Sequence, residues 1–593
     1  MLFSELAVHL ENLEKTSSRN ELTKILAEVL TRANEAEIDK LCYLLLGEIV
    51  PSYRGIEFQI AEKMMIRVLA LAYKRSVSQV AADFRVKGDL GDVAYQIAPP
   101  RDKSRGAKPA VGEVYKKLYA VAGESGEGSQ ERKVRGLAEL LESLDRRSAK
   151  YVSRIPAGKL RLGFSDATVL DALSLIVKGD KSARPAIENA YNVTADIGAI
   201  ARRIKQGGLA ALARIRATPG IPIRPSLAER LNKIDEVIEK AGPEVGVEEK
   251  LDGFRTQVHV WREAGKKRAV LFSRNLENTT LMFPEIAAAA RALRAESVIL
   301  DGETIGYDPK TGKFAPFQET VRRKRKHGVA GFAKKIPLSI FIFDVLYLNG
   351  KSLLGLPFSK RRGLLEKIVS SSSGRAAGTL RLTSHKVTGD SKVVVRELAS
   401  SVAKGLEGVV VKKLNAPYQA GGRGFHWIKL KATTAALENL RAGGAAGLPD
   451  TIDCVVMGSY RGRGKRAAFG VGGLLLGVRG ADGRYYSLSR LGTGLSDEQF
   501  REARRRVRTL QSRERPKEYI VKKEAYPDIW AAPGIVAEIL ADEVTFSPRH
   551  TAGKKGDGRG YSLRFPRLVR FRDDKNPEDA TTTAEIIRMY RHQ

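Results

Sequence analysis

Apolar positions in the first two hundred residues recur with a helical period. Leu22, Ile25, Leu26, Val29 and Leu30 fall at i, i+3, i+4, i+7 and i+8, which lays one stripe along a helix. Ser18 followed by Glu21 fits a capping box at its start. The same period runs through residues 60–73, 134–144 and 166–175, and alternating patterns are scarce before about residue 215. This stretch is therefore predicted to be all-helical. Gly207-Gly208 and then Pro219-Gly220-Ile221-Pro222 break the pattern. The two prolines favour an extended connection, and a domain boundary is expected there.

Beyond residue 223 the period changes. Phe254, Thr256, Val258 and Val260 alternate with Arg255, Gln257, His259 and Trp261, the period of two of a strand. Helix and strand patterns then mix to about residue 432. From about 450, short strands and turns dominate. Residues 474–479 and 485–488 flank Asp482-Gly483, a dipeptide suited to a tight hairpin, and a small β-barrel is predicted. The chain thus reads as multidomain α+β, with a helical domain at 1–215, a mixed α/β domain at 223–432 and a β-barrel at 445–593. No solenoid repeat is visible. Gly350-Lys351-Ser352 lacks the upstream glycine of a phosphate loop.

Charge narrows the choice of partner. The 593 residues include 102 Lys or Arg against 68 Asp or Glu, a formal net charge of +34. An excess that large points to a polyanion, above all nucleic acid. Basic clusters in the helical stretch, at 103–108, 132–135 and 159–161, suit phosphate contacts that give affinity without sequence choice. The two cysteines, Cys42 and Cys454, lie far apart, which fits a reducing compartment without a disulfide or zinc framework. The first residues show no basic leader, and the most apolar run, 336–348, is too short to span a bilayer and carries Asp344. A cytoplasmic protein is expected.

Candidate chemistry centres on Val247-Glu248-Glu249-Lys250-Leu251-Asp252-Gly253-Phe254-Arg255. Lys250 is expected on a turn at the mouth of a sheet, and Gly253 would let backbone approach a ligand closely. A lysine becomes a nucleophile once desolvation or a nearby cation removes its proton, and the neutral amine can then attack phosphorus. Five further stretches follow in order: Phe272-Ser273-Arg274-Asn275, Leu300-Asp301-Gly302-Glu303, Phe341-Ile342-Phe343-Asp344, Glu407-Gly408-Val409-Val410-Val411-Lys412-Lys413 and Trp427-Ile428-Lys429-Leu430-Lys431. Singly, each has an ordinary reading. Phe343 suits a core, Lys429 and Lys431 a wet edge, and Arg274 and Arg423 a solvated surface. The basic run 322–327 reads as a solvated or nucleic-acid-facing loop. Six stretches in one order are harder to dismiss.

That order resembles the covalent nucleotidyltransferase superfamily, and more closely the ATP-dependent DNA ligases of archaea and of the eukaryotic replicative type. Gly158-Lys159-Leu160-Arg161-Leu162-Gly163, Pro219-Gly220-Ile221-Pro222-Ile223-Arg224-Pro225 and Ser562-Leu563-Arg564-Phe565-Pro566-Arg567 extend the likeness over essentially the whole chain. The resemblance implies a helical DNA-binding domain, an adenylyltransferase domain and a C-terminal OB-fold. It implies nick sealing in double-stranded DNA, with ATP and Mg²⁺, through a lysyl-AMP and then a DNA-adenylate. Lys250 would be the nucleophile. Glu248 would contact the adenine side of the nucleotide, and Arg255 and Arg274 the ribose and phosphates. Glu303 would bind ribose, Phe343 would stack on adenine, and Glu407 would be linked to the metal. Arg423, Lys429 and Lys431 would surround the phosphates, while Arg570, Arg572 and Lys575 would orient the leaving pyrophosphate. Rival readings are an RNA ligase, an mRNA-capping type transferase, or a catalytically dead DNA-binding relative. The paired aromatics with which family members often meet a sliding clamp do not occur, so clamp binding stays open, and a monomer is expected.

Overall fold

The computed structural model describes the chain except residues 101–107, 159, 232–233, 309–310, 326–327, 371–375, 432–450, 463–468, 493–494, 542, 555, 557 and 592–593. At 235, 318, 334, 376, 377 and 431 it describes backbone alone. The chain divides into a unit of residues 1–431 and a unit of residues 432–593.

From Phe3 to Arg214 the regular structure among the described residues is helical, apart from one bridge between Leu2 and Ala110. The stripe read from the sequence lies on the helix Arg19–Arg32, where Leu22, Leu26, Val29 and Leu30 are buried and Ile25 partly so. Ser18 accepts from the Glu21 backbone N–H at 3.4 Å, but its own N–H donates to Thr16 Oγ1 at 3.2 Å. The expected box is therefore half made, because Thr16 takes the donor that Glu21 would have satisfied. Helices Glu62–Ala72, Ser129–Glu142 and Asp166–Lys178 answer the other three periodic runs. Side chains of Ser76, Asp89, Asp145 and Asp196 cap further helices by accepting otherwise orphaned backbone N–H groups.

Residues 227–431 build two sheets. Their strands are β1 (Leu227–Arg230), β2 (Val245–Lys250), β3 (Phe254–Glu263), β4 (Lys266–Ser273), β5 (Val298–Asp308), β6 (Lys313–Phe314), β7 (Leu338–Leu348), β8 (Lys351–Ser352), β9 (Leu380–Leu382), β10 (His385–Thr388), β11 (Gly408–Lys413) and β12 (Arg423–Lys431). One sheet has the order β1-β12-β11-β2-β10. The other runs β4-β3-β5-β7-β8, with β6 on β5 and β9 on β7.

The alternation along β3 does not separate core from solvent, since residues on both of its faces are buried. Val258 and Val260 pack in a core with Ile286 and Ala290 of the helix Pro284–Arg291. Gln257 and His259 face the other way and bind the connection from the helical region. Gln257 exchanges hydrogen bonds with the Ile223 backbone at 2.8 and 3.0 Å, and His259 Nδ1 accepts from the Gly220 N–H at 3.1 Å. Burial pushes the His259 imidazole down to about 3, so it stays neutral and Nδ1 remains an acceptor. The connection also carries Arg224, whose guanidinium donates to Asp166 Oδ2 at 2.7 Å and to the Tyr191 hydroxyl at 2.9 Å. The β3–β4 hairpin closes on Ala264 and Gly265, both at positive φ. The sequence around 262–268 thus forms only a two-residue tip.

Two expectations change. The basic run 322–327 is not wholly solvated. Arg323 is fully buried, ion-paired with Glu285, and donates to the Val329 carbonyl at 3.3 Å, while Arg325 lies 3.8 Å over the Phe332 ring. Lys326 and His327 lie outside the described residues. Gly253 is required, but by protein rather than ligand: a Cβ there would stand 2.4 Å from the Thr304 carbonyl oxygen of β5.

The second unit is built on a sheet that is antiparallel except where Tyr485–Leu491 pairs in parallel with Tyr519–Ile520. Its centre is Ile452–Tyr460, Gly473–Arg479 and Tyr485–Leu491, with Leu474, Leu476, Val478 and Leu488 in the core. The Asp482-Gly483 turn joins the last two as expected, with Gly483 at φ +76°.

Candidate active site

Lys250 ends β2 rather than sitting in the turn beyond it. Its register partner is Gly408, the first residue of β11, and its carbonyl accepts from the Glu407 N–H at 3.2 Å. This pairing sets Glu407 beside the lysine, and the two side chains form an ion pair. The sequence points to cations around Lys250, yet the group its ammonium touches is a carboxylate. Glu407 thereby fixes where the amine points.

Residues opposite one another on paired strands project to the same side of a sheet. Glu248 faces Val410, which faces Lys429. Two positions away Gly246 faces Lys412, which faces Trp427. Glu248, Lys250, Lys412, Trp427 and Lys429 therefore share one face. On the second sheet Glu303 of β5 lies opposite Arg255 of β3. The two faces meet where the Phe343 ring of β7 stands edge-on to Trp427, with centroids 5.7 Å apart.

Arg255 ties the faces together. It donates to both oxygens of the buried Asp301 carboxylate, at 2.8 and 2.7 Å, and lies 4.9 Å from the Phe343 centroid and 5.2 Å from that of Trp427. Burial opposes its charge, but Asp301 outweighs this and holds the guanidinium above its ordinary value. The Tyr418 hydroxyl donates to the same Asp301 at 2.7 Å. Glu303 behaves oppositely. Burial pushes its carboxyl up to about 7, even though Lys250 and Arg255 both pull it down. Glu248 is almost wholly buried. Burial raises its carboxyl, but Lys412, His385 and Arg362 prevail and leave it below the usual range. Lys412 contacts Glu248 Oε2 at 2.6 Å, while Arg362 and His385 Nδ1 lie 3.2 and 3.5 Å from Oε1.

The structure thus gathers Lys250, Glu248, Arg255, Glu303, Phe343 and Glu407, with Lys429 half-buried on the same face. Two other expected residues, Arg274 and Arg423, face solvent. Arg274 is exposed on the turn after β4 and, among the described residues, makes no hydrogen bond or ion pair. Arg423 opens β12, largely exposed, with Glu229 at 3.9 Å. Lys431 pairs in register with Gly408, but its side chain lies outside the described residues. In the second unit, Arg570 is bound to Glu538 at 2.7 Å, Arg572 to Asp574 at 2.7 Å and Lys575 to Asp453 at 2.6 Å.

The motifs did not single out Lys412, Arg362, His385, Asp301 or Tyr418. Lys412 and Asp301 lie within two of the stretches, Lys412 two positions after Val410 on an inward strand face and Asp301 two before Glu303, and the other three left no trace. Among the described residues no three or more His, Cys, Asp or Glu side chains converge as a metal cage. A lone carboxylate such as Glu407 fits a Mg²⁺ that keeps phosphate and water as its other ligands.

Comparisons with known proteins agree along the chain. Residues 2–174 match the family model "DNA ligase N terminus", 225–431 match "ATP dependent DNA ligase domain", and 467–575 match "ATP dependent DNA ligase C terminal region". A "Probable DNA ligase" of Dictyoglomus turgidum is 41% identical, covering 100% of this chain and 98% of its own. DNA ligases of Acidianus ambivalens and Sulfolobus acidocaldarius are each 36% identical over the same shares. Among solved structures, "Pmar-Lig_PreS3" shares the fold at a TM-score of 0.56 and 18% identity, covering 95% of this chain and 99% of that one.

Proposed function

The chain belongs to the ATP-dependent DNA ligases, and from that premise we propose that Lys250 is the residue that carries AMP. The enzyme uses ATP and seals nicks in double-stranded DNA through an adenylate intermediate. The observation that supports Lys250 is its place at the end of β2, in contact with Glu407 and beside Glu303, on the face where the two sheets meet.

In the first step Lys250 Nζ forms a bond to the α-phosphorus of ATP, the bond to pyrophosphate breaks, and the amine gives up its proton. An oxygen of the nick's 5′-phosphate then attacks that phosphorus, and the lysine nitrogen leaves. Finally the 3′-hydroxyl attacks the 5′-phosphorus and AMP departs. Such transfers depend on alignment and on positive charge at the phosphate oxygens more than on acid–base chemistry. Phe343 stacks on adenine, Glu248 meets the base edge, and Glu303 accepts from a ribose hydroxyl. Arg255 is pinned by Asp301 so that it orients Phe343 and Glu303 together. Lys429, Lys431, Arg274 and Arg423 supply cations near the phosphates. Glu407 would hold a Mg²⁺, which when bound supplies charge to the phosphate oxygens.

The remaining assignments extend the same reading. Residues 1–215 grip DNA, 223–432 carry out adenylyl transfer, and 445–593 form an OB-fold whose Arg570, Arg572 and Lys575 orient pyrophosphate. The enzyme works as a cytoplasmic monomer. A labelled-ATP gel tests the central assignment. Lys250→Ala forms no covalent AMP, and Lys250→Arg also fails, because a guanidinium keeps its proton. A labelled band on either variant rules Lys250 out.

A further inference from the structure

We propose that Lys412 is a positioning residue that sets the enzyme's preference for adenine over guanine, by fixing both Glu248 and Phe343. The proposal rests on the reading above in which those two side chains meet the base.

Lys412 is the penultimate residue of β11, its side chain almost wholly buried. Its ammonium contacts Glu248 Oε2 at 2.6 Å and donates to the Phe343 carbonyl at 3.2 Å. It lies 4.7 Å from the Phe343 ring centroid, 4.5 Å from that of Phe358 and 4.4 Å from that of Trp427. One cation thereby binds the side chain proposed at the base edge and both the ring and the backbone of the residue proposed at the base face. Three aromatic faces attract such a charge, yet a lysine taken out of water needs a carboxylate as well. Glu248 supplies it, and Arg362 and His385 flank its other oxygen.

The consequence is chemical. A charged carboxylate accepts from the exocyclic amine of adenine, whereas guanine presents a carbonyl oxygen at the same place and is repelled. A buried Glu248 deprived of Lys412, the nearer of its two cations, would take up a proton more readily. It could then donate to that carbonyl, and discrimination would fall. Lys412 itself need not touch the nucleotide.

The test measures kcat and KM for self-nucleotidylation of the full chain with ATP and with GTP. Lys412→Met keeps the aliphatic stem and fills the aromatic box. It should raise KM for ATP more than it lowers kcat, and reduce the ATP to GTP ratio of kcat/KM by about tenfold or more. Unchanged selectivity in folded Lys412→Met overturns the proposal, as does a loss confined to kcat. Should Lys412→Met not fold, Lys412→Gln, which keeps a donor for the Phe343 carbonyl, carries the same two outcomes. Glu248→Gln separates the premise from the proposal. If Glu248→Gln leaves the ratio unmoved, Glu248 does not read the base and the underlying assignment fails. If it lowers the ratio while the Lys412 variants do not, Lys412 alone is refuted.

Discussion

Glu303 makes a testable link between the site and the stability of the fold. Its carboxyl is pushed by burial from an ordinary 4.5 up to about 7, against the pull of Lys250 and Arg255. Between those two pH values the folded protein holds a proton that the unfolded chain has lost. Stability therefore falls as pH rises through this window, and the cost is complete above about pH 7. At about 1.4 kcal/mol per pH unit the full span is about 3 kcal/mol, and the side chain's partial exposure reduces it to about 2–3 kcal/mol. Glu303→Gln is neutral at every pH and should remove this cost.

Denaturant unfolding of the wild type and of Glu303→Gln at two pH values provides the assay. At pH 8 the variant should be more stable by about 2 kcal/mol, and near pH 5 the gap should shrink below about 1 kcal/mol. The same variant should lose self-adenylylation, giving a protein that is sturdier and less active, as expected where a site stores an unfavourable charge. An equal difference at both pH values, or a variant less stable than wild type at pH 8, would refute the reasoning.

Other expectations follow from buried pairs and from charge. Asp344 and Arg361 are fully buried and bidentate, at 2.8 and 3.0 Å. Asp344→Ala should cost about 3–5 kcal/mol in chemical unfolding by stranding the guanidinium, and Asp344→Leu with Arg361→Met should regain most of that. Affinity for nicked duplex DNA should fall at least about tenfold over a fourfold rise in salt, as phosphate contacts release counterions. Fluorescence anisotropy across a salt series would expose a basic surface with some other purpose if affinity stayed flat.

Much of the scaffold was legible because it follows from local period. The stripe at 22–30, the alternation at 254–261 and the Asp482-Gly483 hairpin each became the element expected. The order of Lys250, Glu303, Phe343 and Glu407 pointed to a shared site, and those residues do converge. Long-range pairing was not legible. Glu248 meets Arg362, His385 and Lys412, each more than a hundred residues later, and no local pattern announces such partners. Arg323 reads as part of a wet basic run, but a half-buried carboxylate partner lies 38 residues upstream. Gly253 reads as a place of close approach. What approaches it is the backbone of a neighbouring strand, which only the register of β5 reveals.

The mechanism turns on a P–N bond at one lysine, which intact-protein mass spectrometry detects. After incubation with ATP and Mg²⁺, the purified enzyme should gain the mass of AMP, with the adduct on the peptide containing Lys250, and lose it when nicked DNA is added. Strand joining by a protein that never carries the adduct, or an adduct on another residue, would contradict the account.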